Sequence, residues 1–106
     1  MITLKVRRKN GHIIRFELWG HAGYAEAGQD IVCAGVSALV IAAANGLITH
    51  AGVSRIVRQG NGRFTCLVRD IPSERARDMA DAVLGTMVSG VAAIAARHPE
   101  NVVLID

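Results

Sequence analysis

Eighteen consecutive residues, Ile31 to Ile48, contain no Asp, Glu, Lys or Arg and are mainly apolar. No other stretch restricts the fold as strongly. Asp30, immediately before them, is a good N-cap, so the run is predicted to be helical. A run of this length also raises the question of a bilayer span. Its Ala and Gly content, with Ser37 and Asn45 inside it, argues against one. A soluble helix that is apolar all round must be buried on several sides. In a chain of 106 residues, one sheet and one other helix leave part of it uncovered. A homodimer that buries the remainder is therefore expected.

The length and the 51% hydrophobic content suit a single domain over 1–106, at the small end of what buries a core. No signal peptide is recognised, so Cys33 and Cys66 read as reduced thiols in a cytoplasmic protein. They form no Cys-x-x-Cys pair. His12, His21, His50 and His98 are scattered without metal-ligand spacing, so neither a metal nor a cofactor is expected. A net charge of +3 permits contact with RNA or ribosomes without arguing for it.

In chain order, Ile2, Leu4 and Val6 alternate with Thr3, Lys5 and Arg7, the period of a half-buried strand. Asn10-Gly11 is a hairpin turn. The return strand is predicted to point Ile14, Phe16 and Leu18 inward, with Arg15, Glu17 and Trp19 outward. Trp19 then stands where it can wall a groove near His21. Lys5, Arg7, Arg8, Lys9 and Arg15 read as a solvated sheet face.

After the helix, Val53 to Gln59 and Arg63 to Arg69 flank Gly60-Asn61-Gly62 as a second hairpin. Phe64, Cys66 and Val68 share one face, which makes Cys66 a core thiol. Pro72-Ser73 opens a second helix. Its predicted buried stripe is Met79, Val83, Met87, Val91 and Ala95, with Arg75, Arg77, Asp78 and Asp81 facing water. Gly85 and Gly90 are predicted to allow close approach to the first helix. Pro99 ends that segment, and Asn101 to Ile105 read as a last strand. The expected fold is α+β, two layers of helix on sheet, ordered ββαββα(β), with about four to five strands in the sheet.

The chemistry concentrates between Gly20 and Leu39. Capped by Asp30, the first helix carries Cys33 at its third position, where the positive end of the helix dipole and the N–H groups of the first turn favour the thiolate. His21 follows the second strand. The intervening loop, with Ala22, Gly23, Gly28 and Gln29, is long enough to fold back and bring the imidazole to the thiol. Ser37 lies one helical turn after Cys33, on the same face. The spacing allows a dyad and equally allows a packed cysteine, a polar strand exit, a plain N-cap and a serine bonded to its own helix.

The run Gly20-His21-Ala22, followed by Gly28-Gln29-Asp30-Ile31-Val32-Cys33-Ala34-Gly35-Val36-Ser37-Ala38-Leu39, resembles the signature of the ribosomal-processing cysteine protease family, Prp. The likeness extends over essentially the whole chain. It implies a homodimeric cysteine endopeptidase that removes a short N-terminal extension from large-subunit ribosomal protein twenty-seven. It implies Cys33 as nucleophile and His21 as general base, with Asp30 and Ser37 in supporting positions. Residues Ala22 to Gln29 are expected to close over the substrate on their glycines.

Two other classes fit part of the sequence. A non-catalytic ribosome- or RNA-binding module accounts for the basic strands, but the sequence shows no aromatic pair on a strand, no GXXG clamp and no strong basic stripe. Direct nucleic-acid binding is accordingly not expected. A structural dimerisation protein accounts for the apolar helix and leaves the histidine and cysteine unexplained.

Overall fold

The computed structural model describes residues 1–20, 30–53, 55–60 and 62–106, with 55–58 by backbone alone. The elements run β1 (Ile2–Lys9), β2 (His12–Gly20), α1 (Ile31–Thr49), β3 (Arg55–Gly60), β4 (Arg63–Val68), α2 (Glu74–Arg97) and β5 (Val102–Ile105). This is the expected α+β order. The five strands form one sheet in the order β3-β4-β2-β1-β5. β5 lies parallel to β1, and the other neighbours are antiparallel.

Asn10 and Gly11 both have positive φ, 54° and 80°, as a tight hairpin turn between β1 and β2 requires. Ile2, Leu4 and Val6 are buried, as their alternation predicts. On β2 the inward set is Ile13, Phe16 and Leu18 rather than Ile14, Phe16 and Leu18. Arg7 pairs with Arg15 and Arg8 pairs with Ile13, so Ile14 is an extra residue. Such a bulge reverses the alternation on one side of itself.

One face of the sheet carries the helices. Val32, Val36, Val40, Ala43, Ala44 and Leu47 form the buried stripe of α1. They share a single core with Phe16, Leu18 and Cys66 of the sheet and with Leu84, Met87 and Val91 of α2. Both helices have the length and composition of a membrane span, but each packs this stripe into the common core. The outer side of α1 stays uncovered, with Ile41 44% and Ile48 49% exposed.

On α2 the stripe is Ala76, Ala80, Leu84, Met87 and Val91. Met79, Val83 and Ala95 are only partly buried against it. The helix is rotated so that small Ala76 and Ala80 join the buried stripe in place of Met79 and Val83. Asp81 does not simply face water, because its Oδ2 lies 2.9 Å from His12 Nδ1. A methyl group at Gly85 would meet nothing beyond its own helix, whereas one at Gly90 would press on the Leu39 side chain of α1. Gly90 thus makes the close helix contact that the sequence attributed to both glycines.

Candidate active site

Asp30 is the N-cap of α1. It is buried, 8% exposed, and its Oδ1 accepts a hydrogen bond from the Cys33 N–H at 2.9 Å. The first intrahelical bond then runs from Ala34 N–H to the Asp30 carbonyl, 3.0 Å. The cap thereby holds Cys33 at the third helical position, as the sequence predicts. It also occupies the Cys33 amide, leaving the amides of Ile31 and Val32 as the first-turn donors without an intrahelical acceptor.

The Cys33 thiol is half-buried and Cys66 is wholly buried. Cys33 and Ser37 open on a cavity of about 320 Å³. Leu18, Trp19 and Gly20 at the end of β2 also line it, with Ile41 of α1 and the β3–β4 turn residues Gln59, Gly60, Gly62, Arg63 and Phe64. The pocket is mainly apolar, with the Cys33 thiol on its wall. Trp19 does wall the groove.

Gly20 brings the chain to the rim of this cavity. Its φ of +89° belongs to the region that favours glycine, and a β-carbon there would collide with the Met1 carbonyl oxygen. His21, Ala22, Gly23, Gly28 and Gln29 lie outside the described residues.

Arg63 and Phe64 were not legible as site residues. They lie thirty residues after Cys33 and come to it only because β4 pairs with β2, Leu18 opposite Phe64 and Trp19 opposite Arg63. The only local signal was the glycine-rich turn before them. Arg63 places its guanidinium 4.5 Å from the centre of the Trp19 ring and donates to Glu17 Oε2 at 2.6 Å. Arg15 pairs with Glu17 Oε1 at 2.8 Å. Burial pushes the Glu17 carboxyl upward, but the two arginines outweigh it and hold the group below its ordinary value. Among the described residues no three His, Cys, Asp or Glu side chains come together as a metal site.

The family model described as cysteine protease Prp matches residues 1–103. The ribosomal processing cysteine protease Prp of Bacillus subtilis is 35% identical over 104 residues, covering 95% of this chain and 93% of its own. The crystal structure of the Staphylococcus aureus Prp with a covalently linked product peptide superposes with a TM-score of 0.86 at 28% identity, covering 99% of this chain and 98% of the other. The same S. aureus protease with a substrate peptide gives a TM-score of 0.81 at 28% identity, over 98% and 97% of the two chains.

Proposed function

This chain belongs to the cysteine protease Prp family, and on that premise we propose that Cys33 is its nucleophile and His21 its general base. The Cys33 thiolate attacks the scissile carbonyl carbon, forming a C–S bond and an oxyanion. The C–N bond then breaks as His21 gives its proton to the departing amine. Water, deprotonated by His21, hydrolyses the thioester and restores the thiol. With the Cys33 amide held by Asp30, the oxyanion is assigned to the amides of Ile31 and Val32 at the positive end of α1. Ser37 supports the bound peptide, and residues 22–29 cover it.

One observation carries this reading. The half-buried Cys33 opens with Ser37 on an apolar cavity that Gly20, the residue bonded to His21, also lines. The proposed substrate is the N-terminal extension of large-subunit ribosomal protein twenty-seven, with cleavage in the cytoplasm by a homodimer. The relatives' names support a role in ribosomal processing, and the S. aureus protease solved with substrate and product peptides supports a peptide substrate.

The test mixes the purified protein with that ribosomal protein and reads the product masses. A single N-terminal cut is expected, abolished in Cys33→Ala and retained in Cys66→Ala. Equal loss in both variants, with both folded, would sink the assignment of the nucleophile.

A further inference from the structure

The sheet face turned away from the helices collects cations that are dispersed in the sequence. Lys5 and Arg7 come from β1, Arg15 from β2 and Arg63 from β4. The register places Arg7 beside Arg15, Lys5 beside Glu17, and Trp19 beside Arg63. Among the described side chains of the strands, these four cations thus share a face with one carboxylate, Glu17, with which Arg15 and Arg63 both pair. Lys5, Arg7 and Arg63 are exposed and Arg15 is partly so. The sequence already groups Lys5, Arg7 and Arg15 on one solvated sheet face, and the pairing of β4 with β2 adds Arg63 to it.

We propose that this face binds a single-stranded segment of RNA, with Lys5, Arg7 and Arg15 on its phosphates and a base stacked on the Arg63–Trp19 pair. Residues two apart on a strand stand about 6.8 Å apart, the order of the distance between successive phosphates, and the stripe from Arg7 to Arg63 extends about 14 Å along the strands. The Arg63 guanidinium carbon stands 4.5 Å from the centre of the Trp19 ring, and these two planar groups are the ones a base would stack on. A lipid surface fits less well. Among the described residues the exposed large apolar side chains are Ile31, Ile41 and Ile48 on α1, Met1 just before β1 and Ile105 on the edge strand β5, so only Met1 and Ile105 can border this face. The inference goes beyond the peptidase reading, since binding here needs neither Cys33 nor His21. Because Trp19 and Arg63 also line the Cys33 cavity, bound RNA would lie at its mouth.

The test is fluorescence anisotropy with a labelled 12-nucleotide single-stranded RNA at 50 and 200 mM salt. Four cations less the Glu17 carboxylate leave a net charge of about three, which gives a slope of about −2 in log affinity against log salt, so binding should weaken about 18-fold between these concentrations. The double variant Lys5→Gln/Arg7→Gln should bind more weakly at 50 mM and lose only about threefold over the same range. It should still cleave a substrate peptide as the wild type does, which separates failure of this face from failure of the active site. Three results would each overturn the proposal: no binding at 50 mM, equal affinity and slope in wild type and double variant, or binding to anionic phosphatidylserine vesicles without binding to RNA.

Discussion

Glu17 shows how one side chain ties the sheet face to solution conditions. Its carboxyl is held below the ordinary value of 4.5 because Arg63 and Arg15 outweigh the cost of its burial. The unfolded chain therefore binds this proton more readily than the folded one. The stabilisation is present above about pH 4.5 and is lost as the pH falls through the lowered native value. Asp106, hydrogen-bonded to Arg8, acts in the same direction from its ordinary 3.8 downward. Glu17→Gln should lower the neutral-pH stability by about 1 kcal/mol and flatten the acid limb of the stability curve. Thermal melts from pH 3 to 7 check this, and an unchanged acid limb would refute it. Trp19 was legible as an outward residue near a groove from alternation alone. Its arginine partner was not, because cross-strand neighbours depend on a strand order that local patterns do not encode.

At the scale of elements, α1 was the most legible, since a good cap followed by an uncharged apolar run admits few readings. Asp30 does cap it, and its carboxylate accepts from the amide of Cys33, the proposed nucleophile. Asp30→Ala should cost about 1 kcal/mol, or roughly 4–8 °C in Tm. The loss of kcat should exceed what that destabilisation explains, because Cys33 is then no longer held from behind. Asp30→Asn should recover most of the Tm, since asparagine caps almost as well. Calorimetry and a peptide-cleavage assay on both variants separate the two effects. The misread elements share one cause, which is geometry that a periodic pattern does not carry. Ile14 yields to Ile13 because of the bulge opposite Arg7 and Arg8. The stripe of α2 turns toward Ala76 and Ala80 because apolar residues nearly surround its second half, so spacing alone leaves the rotation open.

For the molecule as a whole, the two faces differ in chemistry. The sheet presents cations, and the outer side of α1 presents Ile41 and Ile48 with small residues between them. The homodimer proposed above would bury the Ile48 end of that outer side and leave Ile41 on the Cys33 cavity. Light scattering should give twice the 11.3 kDa chain mass, and Ile48→Glu, which lies outside the cavity, should return the protein to a monomer. A monomeric wild type would refute the assembly. The sheet order β3-β4-β2-β1-β5 also implies a sequence of folding events. The β1–β2 hairpin closes across a tight turn and can form in microseconds. β5, by contrast, joins β1 with Ile2 opposite Val102, enclosing nearly the whole chain in one loop. Such a contact is entropically costly until intervening structure shortens the loop. The hairpins and helices around the Cys33 cavity should therefore assemble first, with β5 docking last. Until then β1 is an unpaired edge, and the nascent protein is most prone to join strands with a neighbour in that interval.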